Sequence, residues 1–388
     1  MYMMHMMDLL PEPLKIDPRI RVLHVNGSGG LDGKTMSDNQ AYFAFNDVPM
    51  WDPQFRAAMA RWGLMHQSCE RFIANNTFLA DIEHSEFDVA LTHTINACPI
   101  GIIHQTTLLM DAGDQLCFIQ RVKSFIGHVM YKRVWRSLIS EVETAAFRNE
   151  FGNDFPHIED LMAKAPLVLV NSNEMYDFAR PTLAKIVNIG GIGMKMTAPK
   201  PLPEKFSSLI DKSQGFAVMT FGSMAPMHLM PDHWIDAYFH AFSQFPNVQF
   251  FIRHENPSAI SSLLPPNVMA DKWLPQTDLL QHPKCIGLIS HGGFNSFQEA
   301  VHSGVPIIAT ALWGDQPRNA HLAVRLGFGV NVHKTRMNRE TMTEAVRRLV
   351  EDKSLKESAV RLKAMLESRP VSSETLLVRW TEFVAEHK

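Results

Sequence analysis

The sequence contains few cysteines and no long apolar or basic run. Its four cysteines fit neither a disulfide framework nor a metal site. No stretch approaches the roughly 18–20 consecutive apolar residues of a transmembrane helix. The Met-rich start lacks the basic region and cleavage site of a signal peptide. With a net charge of −3, the chain offers no basic surface to nucleic acid. We therefore expect no nucleic-acid partner, signal peptide or membrane-spanning helix.

Apolar runs bounded by turn residues alternate with amphipathic stretches, which predicts an α/β fold with parallel strands. The 388 residues suffice for two domains, and the Pro- and Lys-rich stretch after Gly193 is typical of an interdomain connection. We therefore divide the chain into a first domain over 1–197, a second over 198–370 and a C-terminal helix over 371–388. Strands are predicted over 20–26, 87–93, 166–172, 185–191, 247–254, 285–291 and 305–312, and within 215–224, where the strand ends in a Gly-Ser turn.

The most informative stretch runs from Trp273 to Gln316. A predicted strand ends there at His291, a glycine turn follows, and helical sequence resumes at once. Glycines let an anion approach the backbone closely, and the N–H groups of a helix start favour phosphate. His291, Asn295 and Ser296 could then bond phosphate oxygens. The alternative is a plain tight turn, followed by a capping box between Ser296 and Glu299.

Other polar and aromatic residues of this stretch suit a nucleotide attached to a sugar. Glu299 lies one turn into the helix and could accept hydrogen bonds from both ribose hydroxyls. A base could stack on Trp273, although a lone Trp is more often part of a core. Asp315 and Gln316 come after the next strand and could bond sugar hydroxyls, or could simply be solvated in a loop.

Together these motifs resemble the donor-binding signature of the UDP-glycosyltransferases, in particular the glucuronosyltransferase branch of animals. The matching elements are Trp-x-Pro-Gln at 273–276, His-x-Gly-x-Asn-Ser-x-x-Glu at 291–299, Gly-Val-Pro at 304–306 and Asp-Gln at 315–316. The motif Phe-Gly-Ser-Met at 221–224 is similar to that family's strand-end motif. The resemblance covers about residue 20 to the C-terminus.

The resemblance implies a GT-B fold, in which two Rossmann-like domains face each other across a cleft. Residues 1–197 would be the acceptor-side domain and 198–370 the UDP-sugar donor domain. It implies a UDP-sugar co-substrate and no metal or other cofactor, and the chain has no Asp-x-Asp pair. By resemblance, Trp273 and Gln276 face uracil, Glu299 the ribose, Ser223, His291, Gly293, Asn295 and Ser296 the diphosphate, and Asp315 and Gln316 the sugar.

The chain departs from this family where a catalytic base is needed. Inverting sugar transfer to a hydroxyl requires a general base, which the family supplies as a His just after its first strand. That strand and the helix behind it have no counterpart here, so we expect an incomplete N-terminal domain. The family's orienting Asp aligns with His93, which is itself a candidate base. No catalytic residue is assigned.

The first hypothesis for function is transfer of a hexose or glucuronic acid from a UDP-sugar to a small lipophilic hydroxyl acceptor. The alternative is a non-catalytic UDP-sugar-binding protein, for instance the partner of an active paralogue in a homo- or hetero-oligomer. A third possibility, an epimerase or another GT-B enzyme acting on UDP-sugars, needs acid and base residues that we cannot place. The resemblance also implies the endoplasmic reticulum membrane, for which the chain shows no targeting segment.

Overall fold

The computed structural model describes residues 2–5, 21–24, 45, 74, 80, 117–194, 199–222 and 225–387. The predicted strand over 87–93, and with it His93, lies outside these residues. So does Ser223. No contact is therefore assigned to either side chain.

The first half contains short parallel strands and several helices. Strands β1 and β2 pair in parallel, as do β3 and β4, which confirms the strands predicted near 20–26, 166–172 and 185–191. The bounds are β1 Tyr2–His5, β2 Arg21–His24, α1 Phe118–Trp135, a π-helical turn Arg136–Ser140, α2 Glu141–Phe151, α3 Ile158–Lys164, β3 Val168–Val170 and β4 Ile186–Asn188.

The second half is built on a six-stranded parallel sheet. Its strands are β5 Gly215–Thr220, β6 Val248–Arg253, β7 Val268–Asp271, β8 Cys285–Ser290, β9 Ile307–Ala309 and β10 Gly329–Asn331. Across the sheet they follow the order β7-β6-β5-β8-β9-β10. Counted within this domain, that order is 3-2-1-4-5-6, the order of the doubly wound nucleotide-binding fold. The predicted α/β class with a Rossmann-like domain is confirmed.

Helices cover both faces of this sheet, which explains why its central strands are apolar along their whole length. Every residue of β5 is buried. Trp234 and Tyr238 belong to the core on one face, and Phe297 and Val301 to the core on the other. The helices are α4 Glu204–Lys212, α5 Asp232–Ser243, α6 Pro257–Ile260, α7 Gln276–Leu280, α8 Phe294–Ser303, α9 Gln316–Arg325, α10 Arg339–Glu351, α11 Lys353–Glu367 and α12 Ser373–Glu386, with 3-10 turns at Met227–Leu229, Ser261–Leu263 and Lys334–Arg336.

The segment before the predicted domain boundary packs directly on the second domain. The side chain of Gln298, on α8, donates to the buried Tyr176 hydroxyl at 3.0 Å. Asp177 forms an ion pair with Arg318 of α9. The Ser373 hydroxyl, at the start of α12, donates to the Gly190 carbonyl at 2.7 Å. These contacts tie the segment around β3 and β4, and the terminal helix, to the second domain.

Candidate functional site

The candidate site lies at the carboxyl ends of β5 and β8, the two central strands. In this topology the chain leaves β5 toward β6 on one side, and leaves β8 toward β9 on the other. The two loops after these strands therefore diverge and open a crevice, the usual ligand position in open α/β sheets. Phe221 and Gly222 come after β5, and His291, Gly292 and Gly293 after β8. The predicted phosphate turn thus lies at the expected binding edge.

Two glycines, Gly222 and Gly293, make room around the His291 ring. Gly222 and Gly292 have φ angles of 71° and 77°, which side chains rarely adopt. A Cβ atom on Gly222 would lie 2.9 Å from His291 Cε1, and one on Gly293 would lie 2.5 Å from His291 Nε2. The imidazole is therefore enclosed between the turns after β5 and β8, and larger residues at 222 or 293 would displace it.

His291 is held as a neutral ring. Burial lowers its pKa to about 4, so the ring carries no charge at neutral pH. Its Nδ1 lies 3.2 Å from the Ser290 hydroxyl. When that hydroxyl donates to Nδ1, the ring proton sits on Nε2, which faces Gly293. The ring then offers a hydrogen bond, without a positive charge, to a group placed against the turn.

Helix α8 begins without a side-chain cap. Its N-cap residue is Gly293, so the alternative interpretation of a capping box that begins at Ser296 is wrong. Asn295 is the second residue of the helix and is exposed, whereas Ser296 is the third and is buried. Because no side chain occupies the cap position, the first N–H groups of α8 stay available to an anion at the crevice.

Gln276 and Glu299 meet at the same edge. The Gln276 amide donates to Glu299 Oε2, so Glu299 does not reach back to the helix start as a capping box requires. Gln276 is the first residue of α7, directly after Pro275. Burial raises the pKa of the Glu299 carboxyl, and the hydrogen bond from Gln276 opposes that rise. The predicted uracil and ribose contacts are therefore adjacent in space although 23 residues apart in sequence.

Trp273 is an exposed residue. Its side chain is 73% accessible, so the alternative of a core tryptophan is wrong. Its backbone N–H donates to Asp271 Oδ1 at 3.3 Å, and Asp271 is in turn paired with Lys205. The indole is thus presented to solvent, three residues before Gln276 in the sequence.

Asp315 and Gln316 differ in their burial and in their hydrogen-bond partners. Gln316 is buried, and its Oε1 accepts from the backbone N–H groups of Leu312 at 2.9 Å and Trp313 at 3.2 Å. Gln316 is therefore not a solvated loop residue, because its buried side chain stabilises the turn after β9. Asp315 is half-buried, and its Oδ2 accepts from the Asn319 amide at 2.8 Å. The structure places both residues beside the β8 turn.

Sequence reasoning missed two residues that support the site. Asn319 contacts both Asp315 and the turn after β8. Its contact with Asp315 could have been predicted from the sequence, because residues four apart are neighbours on a helix. Arg253, at the end of β6, donates from Nη1 to the Gly222 carbonyl at 2.6 Å. No pattern within the sequence indicates that second contact, because it joins the end of β6 to the turn after β5, 31 residues away in the sequence.

Among the residues that the structure describes, no group of three or more His, Cys, Asp or Glu side chains could hold a metal ion. In the same part of the chain, no helix is long and apolar enough to cross a bilayer.

The strand order and the crevice define a Rossmann-like α/β protein. The model of the UDP-glucoronosyl and UDP-glucosyl transferase family matches residues 100–388. The chain belongs to this family, as the resemblance implied.

Individual relatives agree with that assignment. The chain is 29% identical over 356 residues to UDP-glucuronosyltransferase 3A1 of Bos taurus, covering 83% of this chain and 67% of that protein. It is 29% identical to human UDP-glucuronosyltransferase 1A3 over 92% of this chain and 72% of that protein. It is 35% identical over 243 residues to UDP-glucosyltransferase 2 of Dactylopius coccus, covering 62% of this chain and 46% of that protein.

The chain thus spans about two thirds of the length of the bovine relative and under half of the Dactylopius one. A solved structure, the calicheamicin glycosyltransferase CalG4, is similar with a TM-score of 0.49 and 17% identity, over 89% of this chain and 81% of that one.

Proposed function

We propose that this chain binds a UDP-sugar in the crevice at the carboxyl ends of β5 and β8. The single observation that carries the proposal is the Gln276–Glu299 hydrogen bond. This bond places an amide, which can recognise a base, beside a carboxylate, which can accept hydrogen bonds from a ribose. Trp273 offers the base a face, and the uncapped start of α8 with His291 offers the diphosphate its donors. The sugar then lies toward Asp315 and Gln316.

In the proposed contacts, Trp273 and Gln276 bind uracil and Glu299 the ribose. Asp315 and Gln316 bind the sugar. Gln316 contributes through its Nε2 amide, since its Oε1 already accepts from the backbone of its own loop. The diphosphate contacts are those of Ser223, His291, Gly293, Asn295 and Ser296.

The reaction proposed is transfer of a hexose or glucuronic acid to the hydroxyl of a small lipophilic acceptor. The acceptor oxygen attacks the anomeric carbon, its proton passes to a base, and the bond between that carbon and the UDP oxygen breaks. Family membership supports this reaction class. No metal or other cofactor is proposed. The base is not assigned, because the candidate His93 lies outside the described residues.

A second candidate is a UDP-sugar-binding protein without transfer activity, acting as the partner of an active paralogue. One specific observation favours it: a His, His93, stands where the family's orienting Asp is expected. A neutral imidazole cannot stabilise a protonated base as a carboxylate does. Location at the endoplasmic reticulum membrane remains part of either proposal and rests on resemblance alone.

Two measurements on the full chain separate the candidates. Calorimetric titration with UDP, UDP-glucose and UDP-glucuronic acid measures donor binding. Turnover with a panel of phenols and the same two donors, detected as UDP release and conjugate by mass spectrometry, measures transfer. The enzyme proposal predicts both binding and conjugate. Saturable binding without conjugate, in assays of this chain alone, supports the binding protein, and absence of UDP binding contradicts both.

A further inference from the structure

Asn319 joins two parts of the crevice through one amide group. Asn319 lies on α9 and is only 1% exposed. The Nδ2 amide donates to the Gly292 carbonyl at 3.0 Å and to Asp315 Oδ2 at 2.8 Å. An amide nitrogen carries two hydrogens, so both are used in these bonds. Asn319 therefore links the turn after β8 to the turn that precedes α9.

The two acceptors belong to different parts of the proposed donor site. Gly292 lies between His291 and Gly293, in the diphosphate turn, and Asp315 is the proposed sugar contact. Asn319 offers no group to a ligand, since both of its donor hydrogens are directed to the protein and its Oδ1, which has no hydrogen-bond partner among the described residues, is buried. Any effect that it has on the donor must pass through Gly292 and Asp315.

We propose that Asn319 is a positioning residue, which sets the sugar-binding carboxylate against the diphosphate turn so that UDP and its sugar are held as one unit. This inference rests on the proposed function and extends it to a residue that contacts no part of the donor. The hydrogen bond from Asn319 to Oδ2 restricts the rotation of the Asp315 carboxylate. Within the described residues its Oδ1 accepts no hydrogen bond and is left for a sugar hydroxyl.

The neighbouring contacts hold each turn only locally. Gln316 braces the loop after β9 through residues 312 and 313 of the same loop. Ser290 holds the His291 ring from the adjacent position. Thr310 N–H, directly after β9, donates to the Ser290 carbonyl at the end of β8. Among the residues that the structure describes, Asn319 is the one whose side chain hydrogen-bonds to both turns beyond that point. Its loss should therefore change their relative placement while each turn keeps its own bracing.

The chain supplies a matched control in Asn267. This amide is also buried, and its Nδ2 lies 2.9, 3.0 and 3.0 Å from the carbonyl oxygens of Phe242, Phe245 and Val248, which share its two hydrogens. All of its acceptors are backbone atoms around the end of α5 and the start of β6, and none is a proposed donor contact. Replacing Asn267 tests the loss of a buried structural amide in the same domain.

The test compares Asn319→Ala and Asn267→Ala in the full chain by calorimetry with UMP, UDP, and UDP-glucose or UDP-glucuronic acid, whichever the wild type binds more tightly. For Asn319→Ala we expect UDP-sugar affinity to fall by about tenfold, UDP affinity by less, and UMP affinity by less than about twofold. Asn267→Ala should lower the melting temperature and leave the ratio of UDP-sugar to UMP affinity unchanged. Equal ratios in the two variants would overturn the proposal.

A second variant keeps the test decisive if Asn319→Ala does not fold. Asn319→Asp has nearly the same size but sets a second carboxyl against Asp315. At pH 8 the two like charges should repel and UDP-sugar affinity should fall below that of the wild type at the same pH. At pH 5 a shared proton restores one hydrogen bond, and the deficit should shrink. A deficit independent of pH would contradict the inference.

Failure of the inference and failure of the proposed function give different results. If the wild type binds UDP-sugar and the Asn319 variants keep the wild-type ratio of affinities, only the positioning role is wrong. If the wild type binds neither UDP nor UDP-sugar, both are wrong.

Discussion

Gln276 and Glu299 lie on different helices, and the hydrogen bond between them restricts the conformation of both side chains before any nucleotide is present. The hydrogen bond between them orients the carboxylate, while burial makes its ionised form less favourable than in water. A ribose that donates two hydroxyl hydrogens would relieve that cost. The protonation state of Glu299 therefore links UDP affinity to pH.

We expect UDP affinity to fall at acidic pH because of Glu299. The pKa of this carboxyl is raised by burial, with Gln276 opposing the rise. The ionised form accepts the ribose hydrogen bonds, so affinity should be complete above the raised pKa and lost as pH falls through it. Calorimetry with UDP between pH 4.5 and 8, a range that begins just above the ordinary carboxyl pKa of about 4.3, measures the profile.

Glu299→Gln is the matched control, because it carries no titrating group while UDP itself titrates identically. Its affinity should be lower than that of the wild type at pH 7, and the difference between the two proteins should shrink toward acidic pH. A constant difference over the whole range would show that Glu299 does not act through its charge.

Trp273 gives a second prediction at the residue scale. Base stacking on an aromatic side chain contributes about 1–3 kcal/mol, so Trp273→Ala should weaken UDP binding by about 5- to 150-fold. Trp273→Phe should retain part of that affinity. Since the indole is 73% exposed, neither change should alter the melting temperature. Titration of UDP and a thermal scan on the same samples check both statements.

The control for Trp273 is Phe383→Ala, which removes another exposed aromatic side chain, on α12. It should leave UDP affinity unchanged. Wild-type affinity in Trp273→Ala would exclude stacking on this indole and move the base elsewhere in the crevice.

The first turn of helix α9 is held by an ion pair with Asp177, a residue of the predicted first domain. Asp177 precedes the domain boundary, and its carboxylate is surrounded by donors. It accepts from the Ser172 hydroxyl at 2.6 Å, from the Phe178 N–H at 2.7 Å and from Arg180 at 2.6 Å, and it pairs with Arg318 of α9. The connection between the predicted domains is thus held against the helix that carries Gln316.

Asp177→Asn should destabilise the chain, because it leaves Arg318 and Arg180 without their counter-ion. Breaking one partner of a buried pair typically costs about 3–5 kcal/mol. Urea unfolding monitored by tryptophan fluorescence measures the loss. Asp236→Asn is the control: it breaks the exposed Asp236–Arg339 pair and should change stability little, since exposed pairs contribute little.

The contribution of Asp177 should also depend on pH. Burial alone would raise the pKa of this carboxyl, but Arg318 and the hydrogen bonds from Ser172 and Arg180 hold it below its ordinary value. Its contribution to stability is therefore complete above the ordinary carboxyl pKa and is lost as pH falls through the lowered one. The stability gap between wild type and Asp177→Asn should narrow in acid; a gap that stays constant would contradict this assignment.

At the scale of the whole molecule, local patterns predicted the strands well and the long-range contacts poorly. The apolar runs at β5, β6, β8 and β9 were recognisable because strands covered on both faces must be apolar throughout. The crevice residues were recognisable because the glycine turn, the helix start and the polar residues come directly after those strands.

The remaining features depend on tertiary contacts that sequence spacing does not encode. Nothing in the sequence shows that Trp273 is exposed, since that depends on what packs around residue 273. The role of Gln316 as a brace, and that of Asn319 between two turns, each require the turns to be placed in space. The two-domain division stays a prediction. So do the contacts of Ser223 and His93, because these two residues lie outside the described part of the chain.

The central claim is that the edge formed by Gln276, His291 and Glu299 binds the UDP part of a sugar donor. The most direct measurement is calorimetric titration of UDP into the full chain, into Glu299→Ala, and into Glu357→Ala, which removes an exposed glutamate of α11. We predict saturable binding of one UDP per chain, about tenfold or more weaker in Glu299→Ala and unchanged in Glu357→Ala. Absence of saturable binding, or equal affinity in all three proteins, would contradict the account.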